Sequence, residues 1–129
     1  HNAIRTLTHS GHGDGVITLL QCTSSYPCRL EDVNLRTIWS LRDEFRRPVG
    51  ISDHTTSITV PLAAAALGAT VIEKHLTQDR GLDGPDHKAS ITPKEFKAMA
   101  MGIIEVEAAM GESFKCVLPC EEELRKVWA

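Results

Sequence analysis

Three short apolar runs alternate with three helical patterns along this 129-residue chain, and that alternation restricts its fold more than any other feature. The runs cover 15–22, 48–52 and 70–76, and their β-branched residues are typical of buried strands. Strands that alternate with helices form parallel sheets, because each helix returns the chain to the same end of the sheet. The sequence therefore predicts an α/β fold with a parallel βαβαβα segment.

The first two helical patterns carry start and stop signals. The first has an apolar stripe and ends before Pro48. This stripe consists of Leu35, Ile38, Leu41 and Phe45. The second pattern begins at Ser57 or Thr59, has Pro61 in its first turn and ends at Gly68. Both patterns predict helices that cross over between neighbouring strands.

The third helix has the strongest local signal in the chain. After a polar loop over 77–90, Thr92-Pro93-Lys94-Glu95 matches a capping box with proline at the first helical position. Gly111 ends the helix. The predicted apolar side consists of Phe96, Met99, Ile103 and Met110. Residues 112–129 lack clear periodicity and contain an acidic run, so they predict a solvated tail or linker after a folded unit over 1–111.

Composition and charge exclude several classes of partner. The net charge is −3 and no block of basic residues occurs, so neither nucleic acid nor an anionic membrane is an expected partner. No apolar run approaches the roughly 20 residues that span a bilayer. The four cysteines fall in two distant pairs, which favours a reducing, cytoplasmic setting over a disulfide framework. Because the first residues show neither an initiator Met nor a signal peptide, we expect a cut start.

Polar residues follow each predicted strand, where parallel α/β proteins bind their ligands. His54 and His75 follow neighbouring strands, so the imidazoles are expected roughly 5 Å apart, close enough to share a divalent metal ion. Asp53 or Glu73 is expected either to complete the coordination or to orient a histidine. The alternative interpretation is that each histidine is a hydrogen-bonded structural residue.

Other polar clusters give weaker signals. The Gly84-Pro85-Asp86-His87-Lys88 turn places an acid, an imidazole and an amine beside the same edge, but it is equally typical of a solvated loop. The hydroxyls of 23–26 can bind a phosphate or sugar, or satisfy a turn. Cys116 and Cys120 lack the spacing of a zinc knuckle, and His9 and His12 lie in a predicted loop.

Several of these motifs together resemble the sialic acid synthase (N-acetylneuraminate synthase) family. They are Gln-Cys-Thr-Ser-Ser-Tyr-Pro at 21–27, Val-Gly-Ile-Ser-Asp-His-Thr at 49–55, Val-Ile-Glu-Lys-His-Leu-Thr at 71–77 and Gly-Pro-Asp-His-Lys-Ala-Ser at 84–90. The resemblance implies the last three βα units of a (β/α)8 TIM barrel. It also implies condensation of phosphoenolpyruvate with N-acetylmannosamine, or its 6-phosphate, to N-acetylneuraminate or its 9-phosphate.

The same resemblance assigns roles to individual residues. It implies that His54 and His75 are the catalytic metal ligands and that the cofactor is Mn²⁺ or Mg²⁺. It implies substrate contacts for four further residues, which are Ser24, Tyr26, Ser52 and Asp86. Of these, Ser52 matches a position near phosphoenolpyruvate, and Asp86 matches a contact to the acceptor sugar.

The resemblance also implies what this chain lacks. The first part of the family's barrel is absent, and 112–129 would lead towards an absent antifreeze-like domain. We therefore expect the chain to be inactive alone and to form a homo-oligomer through its open sheet edges. Two alternatives stay open, namely a non-enzymatic half-barrel oligomerisation module and another metal-dependent barrel lyase or aldolase.

Overall fold

A computed structural model of the chain describes residues 2–10 and 17–128. Its three strands are β1 (Leu19–Cys22), β2 (Val49–Asp53) and β3 (Ile72–Lys74). The α-helices in the described ranges are α1 (Asn2–His9), α2 (Thr37–Phe45), α3 (Thr59–Ala66), α4 (Pro93–Met110) and α5 (Glu122–Trp128). Short 3₁₀ turns cover Leu30–Asp32, His87–Ala89 and Pro119–Glu121.

The three strands form one parallel sheet in the order β1-β2-β3. In the register of this sheet, Ser52 pairs with Cys22 on one side and with Glu73 on the other, and Asp53 pairs with Lys74. The predicted parallel βαβαβα order is confirmed. The strands are shorter than predicted, and 15–16 lie outside the described residues. The β1–β2 ladder begins at Leu19, whose N–H donates to the Pro48 carbonyl, because proline has no N–H to extend it.

The hydrophobic core lies on one face of the sheet, beneath α2 and α3. Its buried members are Cys28, Val33, Ile38, Val49, Ile51, Val60 and Ala64. Leu35, Leu41 and Ile72 pack against them. Side chains alternate between the two faces of a strand, so Ser52 and Glu73 lie on the face opposite to Ile51 and Ile72. The apolar stripe predicted for the first helix is largely confirmed, because Leu35, Ile38 and Leu41 all belong to this core or pack against it.

Helix α4 begins as the sequence predicts, whereas α3 has Ile58 at its N-cap position, so the prediction that Ser57 or Thr59 caps it is wrong. The Ser57 hydroxyl accepts a hydrogen bond from the Thr59 N–H, and the capping box between Thr92 and Glu95 is complete. The predicted apolar side of α4 is only partly right. Met99 is buried, whereas Phe96 and Met110 are 46% and 56% exposed.

The close approach of α4 to α3 explains this difference. A Cβ at Gly102 would lie 2.9 Å from the Leu62 side chain, so the glycine allows the two helices to pack closely. The contact with α3 buries Met99, whereas Phe96 and Met110, at the two ends of the predicted apolar side, stay exposed. Hydrophobic periodicity identifies an apolar helix face, but it does not say which part of that face a neighbouring helix covers.

Both ends of the described chain contain helices that the sequence analysis did not predict. His9 belongs to α1, where its Nδ1 lies 2.7 Å from the Arg5 carbonyl, so its predicted loop position is wrong. His12 lies outside the described residues. The region predicted as a tail contains the exposed helix α5, where Lys126 pairs with Glu123 one turn away. No helix within 2–10 or 17–128 is long and apolar enough to cross a membrane.

Candidate metal and substrate site

The carboxyl ends of β2 and β3 bring the two predicted histidines together. His54 directly follows β2 and His75 directly follows β3. Their ring centroids lie 5.3 Å apart, with 68° between the ring planes. This separation agrees with the sequence prediction, because consecutive parallel strands end at the same edge of the sheet. That these residues bind a metal stays a prediction.

His54 is buried and has a defined tautomer. Its Nδ1 lies 2.8 Å from the Thr23 carbonyl oxygen. Because a carbonyl oxygen only accepts hydrogen bonds, Nδ1 donates the hydrogen, and Nε2 of the neutral ring carries a lone pair. The His54 carbonyl in turn accepts from the Cys28 N–H at 2.9 Å. The loop after β1 thus fixes both the ring and the backbone of His54, as is typical of metal-binding histidines.

Ser52 and Glu73 form a hydrogen-bonded pair beside this ring. The Ser52 Oγ donates to Glu73 Oε1 at 2.6 Å, and the same Oγ lies 3.3 Å from His54 Nε2. Because the histidine hydrogen lies on Nδ1, Nε2 can only accept, and the Ser52 hydroxyl lies between this nitrogen and the Glu73 carboxylate, with the shorter distance to the carboxylate. The Nε2 lone pair is therefore held only weakly by the protein.

The surroundings of His75 are more open. Its side chain is 33% exposed, and its Nδ1 lies 4.0 Å from Asp86 Oδ2. The Tyr26 ring contacts both imidazoles, with centroids 4.1 Å from His54 and 5.5 Å from His75. Ser24 is exposed in the same loop as Tyr26. The structure therefore gathers Tyr26, Ser52 and Asp86 around the histidine pair, whereas no contact of Ser24 with either histidine is seen among the described residues.

The two candidate carboxylates for the metal have different surroundings. Asp53 lies on the core face of the sheet, where it accepts hydrogen bonds from the Thr55 N–H, the Thr55 hydroxyl and Lys74. Its predicted role as a metal ligand is therefore wrong, because both its oxygens are engaged away from the rings. Glu73 points to the correct face but bonds to Ser52. Within the described ranges, no group of three or more His, Cys, Asp and Glu side chains is placed to hold a metal ion.

The loop over 77–90 presents Asp86 and is closed at its base. The Ile91 N–H donates to the His75 carbonyl, and the Thr77 N–H donates to the Ile91 carbonyl. Arg80 bonds the Ser90 carbonyl through Nε and pairs with Glu95 through Nη2 at 2.7 Å. These anchors, which the sequence analysis missed, connect the loop behind His75 to the first turn of α4.

Glu95 is the carboxylate that joins this loop to the helix. Hydrogen bonds from the Thr92 backbone and hydroxyl, together with Arg80, lower the pKa of Glu95 to about 2. The charged carboxylate is thus favoured in the folded chain. Elsewhere, burial raises the pKa of the Cys28 thiol, and Cys116 and Cys120 are free and exposed.

A parallel sheet with polar groups gathered at the carboxyl ends of its strands is typical of ligand-binding α/β proteins, both barrels and open sheets. The chain belongs to the NeuB family, whose model matches residues 1–115. This finding confirms the resemblance to the sialic acid synthases.

Two curated relatives are almost equally identical in sequence to this chain. The N,N'-diacetyllegionaminic acid synthase of Campylobacter jejuni is 46% identical over 121 residues, which are 94% of this chain and 36% of the relative. The human N-acetylneuraminate-9-phosphate synthase is 47% identical over 103 residues, which are 79% of this chain and 29% of the relative. The chain therefore spans only about a third of the length of these relatives.

Solved structures agree with this assignment. The N-acetylneuraminic acid synthetase of Leptospira borgpetersenii superposes with a TM-score of 0.76 at 37% identity, over 85% of this chain and 39% of that structure. The spore coat polysaccharide biosynthesis protein spsE of Bacillus subtilis gives 0.78 at 35% identity, over 97% and 38%. The predicted fold class is confirmed: the βαβαβα segment is part of the barrel fold of these synthases.

Proposed function

We propose that this chain forms the metal-binding part of a sialic acid synthase active site. The whole site would condense phosphoenolpyruvate with N-acetylmannosamine, or its 6-phosphate, to N-acetylneuraminate or its 9-phosphate. The observation that carries the proposal is the meeting of two imidazoles at adjacent strand ends, 5.3 Å apart. Family membership supports the reaction class, since the relatives are sugar-acid synthases.

The residues present fit a divalent ion such as Mn²⁺ or Mg²⁺. His54 offers the lone pair of Nε2 because its Nδ1 donates to the Thr23 carbonyl. His75 supplies the second nitrogen from the neighbouring strand. Two protein ligands leave coordination positions for water and substrate, as catalytic sites require. A bound ion would polarise the acceptor carbonyl and stabilise developing negative charge.

The surrounding side chains would bind and orient the substrates. Ser52 and Glu73 form a short hydrogen bond next to His54, so this pair can hold a proton close to the reacting atoms. Tyr26 covers both imidazoles and would restrict water there. Asp86 stands at the open side and can accept hydrogen bonds from sugar hydroxyls, with Ser24 close by in sequence to Tyr26.

The identity of the acceptor sugar is the part of this proposal for which the relatives point to different answers. Relatives named for legionaminic acid and for N-acetylneuraminate 9-phosphate are 46% and 47% identical to this chain. Overall identity therefore does not discriminate between acceptors. Product analysis with both N-acetylmannosamine and its 6-phosphate distinguishes the free from the phosphorylated acceptor, and absence of product from both would favour an acceptor of the legionaminic acid type. A cytoplasmic location and a homo-oligomeric state stay predictions.

The first experiment is a Mn²⁺ titration of the chain, followed by electron paramagnetic resonance. We expect one bound ion per chain and its loss in the His54→Ala/His75→Ala double variant. Equal binding by both proteins would refute the metal site. A Cys116→Ala/Cys120→Ala variant, altered at exposed thiols, is the matched control and should bind as the unmodified chain does.

The second experiment tests the reaction in a chimera. This segment would replace the matching third of the human synthase, to which it is 47% identical over 103 residues. We expect phosphoenolpyruvate-dependent product from the chimera, none from its double histidine variant, and none from the 129-residue chain alone. A folded chimera without activity would contradict the proposed reaction. Turnover by the isolated chain would overturn the prediction that the chain is inactive alone.

A further inference from the structure

A buried ion pair lies on the sheet face opposite to the histidine pair. Lys74 Nζ and Asp53 Oδ2 are 2.7 Å apart, and their side chains are 1% and 0% exposed. The two residues are direct partners in the parallel register of β2 and β3. Each lies immediately before a histidine in the sequence, Asp53 before His54 and Lys74 before His75.

The hydrogen bonds of this pair extend into the turn after β2. Asp53 Oδ1 accepts from the Thr55 N–H at 2.8 Å, and Oδ2 lies 3.2 Å from the Thr55 hydroxyl. Lys74 Nζ also donates to the Thr55 carbonyl at 2.5 Å. Asp53 and Thr55, which flank His54 in the sequence, are thus both bonded to Lys74 of β3. These bonds connect the backbone on either side of His54 to β3.

Stability alone is a poor explanation for these two charges. Removing a carboxylate and an ammonium from water is costly, and buried ion pairs are often replaceable by apolar residues without loss of stability. The core beside them already contains Ile51 and Ile72. A pair of apolar residues at 53 and 74 would continue that core, but it would not fix the ends of the two strands relative to each other.

We propose that Asp53 and Lys74 are positioning residues for the metal-binding imidazoles, an inference that rests on the proposed function. Successive side chains of a strand point to opposite faces, so an ion pair on the core face determines how residues 54 and 75 stand on the other face. The bonds to Thr55 additionally fix the backbone that presents His54. The pair acts through the histidines and contacts no reacting atom.

The test replaces both charges in the 129-residue chain with apolar side chains of similar length, as Asp53→Leu/Lys74→Met. Two readouts are measured, the Mn²⁺ dissociation constant and, without metal, the ¹⁵N shifts of the histidine rings. We expect Mn²⁺ affinity to fall about 10- to 100-fold, the range for partners that orient metal ligands. In the metal-free variant, the His54 Nδ1–H tautomer should become mixed.

Met99→Ala is the matched control, because this buried side chain belongs to α4 and not to the sheet or its strand ends. It should destabilise the fold but leave the affinity and the tautomer unchanged. A second double variant, Asp53→Asn/Lys74→Gln, preserves polar groups at both positions without leaving an unpaired buried charge, and should lose affinity to a smaller extent. It keeps the test decisive if the apolar double variant does not fold.

The outcomes separate this inference from the proposed function. If Asp53→Leu/Lys74→Met or Asp53→Asn/Lys74→Gln is folded and retains both the affinity and the single tautomer, the positioning role is refuted. If the unmodified chain binds no Mn²⁺, the proposed metal site fails, and the ring shifts alone then decide whether the pair positions His54. Equal loss of affinity in Met99→Ala would also overturn the inference, since general destabilisation would explain the effect.

Discussion

The two strand ends that form the site differ in how firmly they hold their histidine. At the end of β2, His54 is 5% exposed and bonds the Thr23 carbonyl through its ring and the Cys28 N–H through its carbonyl. At the end of β3, the His75 side chain is 33% exposed, and its nearest charged partner, Asp86, is 4.0 Å away. Of the two proposed metal ligands, His54 is therefore the preorganised one, whereas His75 has room to adjust.

Sheet topology explains this asymmetry. β2 is the central strand and all five of its residues are buried, while β3 has three residues of intermediate or high exposure. The chain beyond β3 is paired through the single bridge between Leu76 and Ile91. The greater exposure of His75 therefore follows from the position of β3 at the edge of the described sheet.

Loss of the preorganised ligand should have the largest effect. We expect His54→Ala to weaken Mn²⁺ binding by more than about 100-fold, beyond the range seen for loss of an orienting partner. Calorimetric titration measures this change. His54→Gln, which retains a polar side chain in the buried position, is the companion variant and should be comparably defective. Near-normal affinity in both would remove His54 from the site.

Loss of His75, the more exposed of the two proposed ligands, should reduce Mn²⁺ affinity less than loss of His54. We expect His75→Ala to weaken Mn²⁺ binding by about 10-fold, because water can enter this more exposed position and replace the imidazole. The same titration applies, with circular dichroism to confirm folding. A loss equal to or greater than that of His54→Ala would break the comparison between the two strand ends.

Acid should lower the stability of the folded chain by protonating Glu95, which joins the loop after β3 to α4. The pKa of Glu95 is about 2 in the folded chain, below the ordinary value of about 4.3. The charged carboxylate therefore stabilises the folded chain at pH values above about 4.3. This contribution is lost progressively as the pH falls from about 4.3 towards 2. Urea unfolding across this range should show a weaker pH dependence for Glu95→Gln than for the unmodified chain. Identical slopes would contradict the assignment.

The smallest effect is expected for Asp86. Its carboxylate is 55% exposed and 4.0 Å from His75, so screening by water limits their interaction. Asp86→Asn should change Mn²⁺ affinity less than about threefold, as expected for an exposed charge pair of at most about 0.5 kcal/mol. In the chimera, the same variant should raise the KM for the acceptor sugar. A large loss of metal affinity instead would make Asp86 a ligand.

The sequence predicted the parts of the site that depend on strand order. His54 and His75 follow consecutive strands, and parallel topology alone brings them together. The acceptor that fixes His54 is the backbone carbonyl of Thr23, and no residue type signals such a contact. Helix α1 was missed although Ile4 and Leu7 lie one turn apart on an amphipathic segment, because the glycines after His9 favoured a loop. The contact face of α4 depends on Leu62 of a neighbouring helix.

The Asp53–Lys74 pair could have been found from the sequence. An acid precedes the first histidine and a base precedes the second, so equal positions on adjacent strands carry opposite charges. Burial decided their role, however, and burial depends on the packing of α2 and α3. Charged residues within short strands beside candidate ligands are therefore informative when their register can be inferred.

Anomalous diffraction from a crystal of the chain soaked in Mn²⁺ tests the central claim most directly. We expect one strong peak shared by Nε2 of His54 and a ring nitrogen of His75, at about 2.0–2.3 Å from each, close to ordinary metal–imidazole distances. Manganese bound elsewhere, or to each imidazole separately, would contradict a shared metal site at the ends of β2 and β3.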